Sequence, residues 1–441
     1  MALDFLFLYE HIVREYESLL LLKLEMERRG YTCDIRQLLD RKKLKYFTYK
    51  KPEVLVASNM YNNEGLNSHV YNNVGRCNKV VNLHWEQMLS DTQEAEPWFN
   101  FDGNAKKCIQ TCWGERTRQR LVQHGVPAQN APVTGAVMMD FLRPAYNGYY
   151  LTRQELCREF GLDETLLLYL YISSFGYASM DETEVKELSD MAGTDFTLFA
   201  EVNRTSMEQT LNWFDAYLTE NPNVQLVYRP HPSEWESPQL NTLSQKHKHF
   251  HVLFEYSVKQ WVVCADEIFI WMSTAIAEVY FAGKNCHILR PIPIPHEFDP
   301  VIYKDALYVQ TYTQMKEQIN KTYTFPIQKE IIEGYFDNSE TPAYIRMADL
   351  LEEVHNNPPR DLPFSAGYKP HFNLIKYLAL LGVHFLYFLR LNPNKLSKIS
   401  PSFASLAGRI YGYIEKSNVS KSQVTAWEAR IKQYILNING E

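Results

Sequence analysis

The seven cysteines of this 441-residue chain are an odd number, scattered without a Cys-x-x-Cys pair or a Cys/His ligand spacing. That pattern argues against a disulfide framework and a structural zinc site, and it fits a reducing cytoplasm. Cys108 and Cys112 are the nearest pair, but no matching histidines accompany them. Positive charge is not in excess either: the net charge is −7, whereas a general nucleic-acid binder shows a basic bias. The chain also lacks an internal repeat, a low-complexity tract and an Asp-x-Asp ligand motif. Its N-terminus, MALDFLFLYEHIVREYE, has no basic segment and carries acidic residues early, so it reads as a strand rather than a signal peptide.

What is present is enough to bury large cores, since 45% of residues are hydrophobic and 14% aromatic. The length suggests two or three domains. An apolar run at Asp4 to Tyr9 enters the helically spaced HIVREYESLLLLKLEMERRGY, which ends at Gly30. CDIRQLL, PEVLVASNMYNNEG, NKVVNLHWEQM and AKKCIQTCWGERTRQRLVQHG follow as further strands with polar ends, among them Ser58-Asn59 and His84-Trp85-Glu86. PVTGAVMMDFLRP reads as a short strand and a Thr134-Gly135 turn carrying Asp140 and Arg143. Strands alternating with helical stretches describe a doubly wound α/β domain. Its first βα turn holds Glu10, His11, Arg14 and Glu15.

A second α/β domain begins after a linker-like stretch. Leu166 to Ile172 is an apolar run suited to a fully buried parallel strand, and it ends in Ser173-Ser174-Phe175-Gly176. The strand Gln225 to Tyr228 runs into Arg229-Pro230-His231-Pro232, and Glu267 to Trp271 runs into Ser273-Thr274 and the helical AIAEVYFAG. Ligands bind at the carboxyl edge of such sheets. Ser273 or Thr274 would cap the helix and leave backbone N–H groups for an anion, phosphate being the obvious one. Glu278, one turn on, would accept from a ribose diol, and Arg229 and His231 would add donors and positive charge. The expected boundaries are 1–148 for the first domain, 149–358 for the second, and 359–441 for a tail.

These motifs resemble GT-B glycosyltransferases, in particular bacterial surface-carbohydrate enzymes: capsule Kdo transferases, sialyltransferases and CDP-glycerol or CDP-ribitol polymer transferases. The resemblance rests on Arg229-Pro230-His231-Pro232, on Ser273-Thr274 with Glu278 and Gly283, on the VTG-x-x-x-x-D segment ending at Asp140, and on the opening helix. It implies two Rossmann-like domains facing a cleft, the second holding a nucleotide-sugar co-substrate and the first an acceptor. CMP- or CDP-linked donors are favoured over UDP-linked ones, and no metal or other cofactor is needed. Donor phosphate would meet Arg229, His231, Ser273, Thr274, Ser173 and Ser174, with the ribose at Glu278. The base would come from the first domain: Glu15, with His11 and Asp140 as alternatives and Glu64 and Glu86 as further candidates. The sequence departs from the sialyltransferase pattern in having Ser-Thr in place of Ser-Ser. A sugar-nucleotide 2-epimerase of the same fold and a catalytically silent GT-B-like scaffold are the competing expectations.

The tail has its own signature. From Leu362 through Ile414 there is no Asp or Glu, while Lys369, Lys376, Arg390, Lys395, Lys398 and Arg409 are basic. Within it FNLIKYLALLGVHFLYFLRL is strongly apolar. A central lysine costs roughly 2 to 3 kcal/mol in a spanning helix, and lying in the interface avoids that cost. The expectation is a peripheral enzyme on the inner face of the cell membrane, attached through residues 362–414 by Lys376, Arg390, Lys395 and Lys398. A core or oligomer helix and a true membrane span are the alternatives, the former leaving room for a homo-oligomer. The acceptor would then be a lipid-linked or polymeric surface glycan.

Overall fold

The computed structural model describes residues 3–38, 52–67, 74, 77–95, 99–231, 234, 237–319, 324–358, 374–393, 407–408, 410–412, 414 and 419–439. Backbone contacts divide the chain into two compact units: residues 1–87, 97–140 and 337–441 form one, and residues 88–96 with 141–336 form the other.

The first unit is built on a five-stranded sheet in the order β2-β1-β3-β4-β5. The strands are β1 (Leu3–Tyr9), β2 (Cys33–Gln37), β3 (Pro52–Ala57), β4 (Val80–Asn82) and β5 (Ile109–Gln110), and every pairing is parallel. Parallel strands need crossovers that cover both faces of the sheet, which is why β1 and β3 read as nearly unbroken apolar runs. Leu6, Leu8, Leu55, Val80, Cys108 and Leu121 share one core cluster. The chain order reverses between β1 and β3, as it does in doubly wound folds. The strand expected in PVTGAVMMDFLRP shrinks to a single bridge between Val133 and Cys112. Gly135 follows at φ +80°, with the Ala343 Cβ only 2.9 Å from where its own Cβ would lie and the Arg346 guanidinium closer still. Only glycine allows that approach to the helix Ala343–Asn356.

The second unit carries a six-stranded sheet in the order β11-β10-β9-β6-β7-β8. Its strands are β6 (Leu167–Ile172), β7 (Val224–Arg229), β8 (Phe250–Val252), β9 (Glu267–Ile270), β10 (Cys286–Leu289) and β11 (Tyr308–Val309), again parallel throughout. Tyr169, Tyr171, Phe214, Tyr228, Phe269 and Trp271 dominate its core. Here the order reverses between β6 and β9, so the crevice at their carboxyl ends is the topological switch point.

The last helices, Leu374–Phe388 and Lys421–Asn439, belong to the first unit. Trp427 packs its ring on Tyr16 at 5.7 Å, and Lys23 pairs with Glu428 at 3.4 Å. Among the described residues no helix is long and apolar enough to cross a membrane.

Candidate functional site

In the second unit the polar ends of β7 and β9 are not on neighbouring strands. They flank β6, so the sheet sets the Arg229–His231 turn, Ser173-Ser174 and Ser273-Thr274 on three adjacent strands. Ser174 sits at the switch point itself, its Oγ accepting the Met272 N–H at 3.2 Å across to β9.

The turn after β7 is fixed from beneath by Glu234. The His231 N–H donates to Glu234 Oε2 at 3.1 Å, and the Glu234 N–H donates to the His231 carbonyl at 2.8 Å. Ser173 Oγ donates to the same carboxylate at 2.6 Å, and Tyr228 Oη donates to its other oxygen at 2.6 Å. Burial pushes the Glu234 carboxyl above its usual range, and these donors pull the other way. With its backbone so held, His231 stands exposed at the sheet edge. Arg229 is occupied differently. Its guanidinium donates to the Glu255 carbonyl at 2.8 Å and to the Tyr256 carbonyl, and burial lowers its pKa to about 10. It clamps the loop that follows β8.

At the end of β9, Ala275 takes the N-cap position of the helix Ile276–Phe281, where Ser273 or Thr274 was expected. The cause is Tyr303. Its hydroxyl accepts the Ser273 N–H at 2.9 Å and donates to the Ser273 carbonyl at 2.5 Å, holding Ser273 outside the helix. Ser273 Oγ then accepts the Ala275 N–H at 3.2 Å, while Thr274 is exposed. A helix of six residues adds little dipole of its own, so side chains must supply most of the attraction for an anion. Glu278 lies in the first turn and is buried, with no hydrogen-bond partner for its Oε2. Burial raises its carboxyl pKa, and the buried Lys259 partly offsets the rise.

In the first unit the corresponding edge gathers Glu10 and His11 from β1, Asn59 from β3, and Trp85 and Glu86 from β4. Asn59 bridges them, donating to Glu10 Oε2 at 3.3 Å and accepting the Trp85 N–H at 3.3 Å. The chain leaves β1 through a π-helical turn, Ile12–Tyr16. Such wide turns are frequent at functional sites. Glu15 inside it is fully buried. Its Oε1 accepts from Arg14 at 2.8 and 3.1 Å, and its Oε2 accepts the Glu10 N–H at 2.8 Å. Burial raises its carboxyl pKa against the pull of Arg14. Asp140 is also buried and accepts the Ala343 and Tyr344 amides at 3.0 and 2.7 Å, so it caps the helix Ala343–Asn356. Of Glu15, His11 and Asp140, only His11 is exposed.

In the tail, Arg390 is exposed just beyond the helix Leu374–Phe388. Lys376 lies within that helix but its side chain falls outside the described residues, as do Lys395 and Lys398 entirely.

Glu234, Tyr228, Tyr303 and Lys259 were not singled out from the sequence. For Glu234 a signal existed: a glutamate three residues after His231 can reach back to that residue's N–H, the geometry of a capping box. Tyr303 gave none, because thirty residues separate it from Ser273.

Two doubly wound parallel units in one chain match the GT-B type of α/β fold. Solved structures agree on that fold. The chain is similar to a UDP-N-acetylglucosamine 2-epimerase, with 11% identity and a TM-score of 0.50 over 81% of this chain and 98% of that one. It is also similar to a variant of the wall teichoic acid polymerase TagF, with 9% identity and a TM-score of 0.54 over 80% of this chain and 89% of that one. No family model and no curated protein matches the chain.

Proposed function

We propose that the chain is a glycosyltransferase, moving a sugar from a nucleotide-activated donor to a lipid-linked or polymeric surface glycan at the cytoplasmic membrane face. The observation that carries the reading is the set of three turns on adjacent strands at the switch point of the second sheet: exposed His231 from β7, Ser173-Ser174 from β6 and Ser273-Thr274 from β9. In this reading the leaving phosphate takes donors from His231, Ser174 and Ser273-Thr274, where the growing negative charge needs preorganised partners. Glu278, buried with an unpartnered oxygen, accepts from the ribose. Arg229 acts through the loop that it clamps. The first unit supplies the base, with His11 favoured by its exposure, and with Glu15 holding the turn that presents it. Cytidine-linked donors are favoured by the motifs and UDP-linked donors are the alternative.

A melting screen with CMP, CDP, UDP, GDP and their sugar conjugates tests the donor site, because a ligand bound to the folded state raises the melting temperature by mass action. A cytidine nucleotide should raise it in the natural chain and not in His231→Ala. Absence of any shift from all the nucleotides would refute the reading. The fold is equally compatible with 2-epimerisation, given its likeness to that enzyme. Conversion of a UDP-linked sugar without added acceptor would favour the epimerase.

A further inference from the structure

The helix Leu374–Phe388 buries one side and exposes another. Val383 is buried in a small cluster with Ala407, Tyr411 and Ile414, and Tyr387 and Ile410 pack against it. On the other side Leu374, Leu378, Phe385, Phe388 and Leu389 are between 46% and 80% exposed. At roughly 100° per residue, Leu374, Leu378 and Phe385 fall roughly 180 to 220° from Val383, with Phe388 and Leu389 at roughly 140 and 240°. The exposed large side chains therefore form one continuous apolar stripe opposite the buried contact. Single exposed leucines need no explanation, but a contiguous stripe marks a docking surface. The chain continues past the helix with Arg390 in the left-handed region at φ 56° and Leu391 exposed.

We infer that this stripe docks on the surface of an anionic phospholipid bilayer, with the helix lying in the plane of the interface. The helix has 15 residues, about 22 Å at 1.5 Å per residue, against about 30 Å of hydrocarbon. Over its described residues it is too short to span but long enough to lie flat. Charge selects the partner. The chain as a whole carries −7, yet residues 362–414 contain no Asp or Glu and six Lys or Arg: Lys369, Lys376, Arg390, Lys395, Lys398 and Arg409. A basic residue near an anionic leaflet contributes about 1 kcal/mol, and Arg390 stands exposed just past the helix, while the apolar stripe enters the acyl boundary. A second copy of the chain fits less well. A twofold contact sets identical surfaces together, so an all-basic segment would meet itself without an acidic partner. This inference is independent of the nucleotide reading.

The test is flotation of the full chain with vesicles of phosphatidylglycerol and phosphatidylcholine, beside pure phosphatidylcholine vesicles. The natural chain should float with the anionic vesicles, less so as salt rises, and stay behind with the neutral ones. Phe385→Glu/Phe388→Glu should lose at least tenfold in vesicle affinity at an unchanged melting temperature, since both side chains face solvent. Leu374→Glu/Leu378→Glu should do the same from the other end of the stripe. Failure to bind anionic vesicles, equal binding to neutral ones, or full binding by both variants would overturn the inference. So would a solution dimer that these variants dissociate.

Discussion

Replacing Glu234 by alanine should damage the second unit more than any exposed substitution in it. The side chain is 9% exposed, and its carboxylate accepts from Ser173 Oγ, Tyr228 Oη and the His231 N–H at 2.6, 2.6 and 3.1 Å. Truncation strands three donors. Each buried donor left without a partner costs about 1 to 3 kcal/mol. Ser173 and Tyr228 also bond each other at 2.9 Å, which recovers part of the loss and brings the expected total to about 3 kcal/mol. In a unit of this size 1 kcal/mol corresponds to about 2 to 4 °C, so the melting temperature should fall by about 6 to 12 °C. Glu234→Gln should behave otherwise. Burial raises this carboxyl above its unfolded value, so ionisation at neutral pH is a cost to the fold that falls away as the group protonates at lower pH. An amide of the same shape carries no such cost, can accept at its oxygen, and leaves the two hydroxyls free to reorient. It should stay within about 1 kcal/mol of the natural chain. Calorimetry of both variants, with and without nucleotide, checks the scheme. The alanine variant should lose the nucleotide-induced shift that glutamine largely keeps. A drop of less than about 2 °C in Glu234→Ala, or nucleotide binding undiminished in it, would refute the claim that this carboxylate organises the turn.

His231→Ala, at an exposed position, should change stability by less than about 0.5 kcal/mol and abolish transfer; retained turnover would remove the histidine from the mechanism. Glu278→Gln removes a buried charge whose carboxyl is already pushed up but also leaves the buried Lys259 without its counter-charge, so the melting temperature at pH 7 should change little while the nucleotide shift disappears, both readable in one thermal screen. His84 is fully buried against Tyr61 and Phe101, at ring separations of 5.6 and 5.0 Å, and burial together with Arg120 holds its pKa well below 6.5. The unfolded chain binds this proton and the folded chain does not, so stability should fall as pH drops below about 6.5, by up to about 1.4 kcal/mol per pH unit. His84→Phe should flatten that acid limb in a series of melts at successive pH values, and an unchanged slope would show that other groups set it.

The sequence by itself marked the longer apolar strands and which turns carry polar residues, but not the two- to four-residue strands β8, β10 and β11, which are too short to stand out as apolar runs. Parallel strands are buried on both faces, so β1, β3, β6 and β7 stand out as apolar runs, and the residue types that follow them are local facts of the chain. His231, Ser173-Ser174 and Ser273-Thr274 were legible for that reason. The order of strands in the sheet was not. That β6 lies between β7 and β9, bringing three turns together at one switch point, follows from crossovers whose direction no local pattern encodes. Tertiary structure also decided what several candidates do. Arg229 meets carbonyls more than twenty residues away, Asp140 caps a helix that starts some two hundred residues later, and Tyr303 displaces Ser273 from its expected cap. Residues 337–441 joining the first unit is a choice of the same kind. In the tail, composition announced an apolar helix in a basic segment, but only packing on Val383 showed which face is left for a partner. Hydrophobicity and charge are written residue by residue; partnership depends on what folding brings alongside.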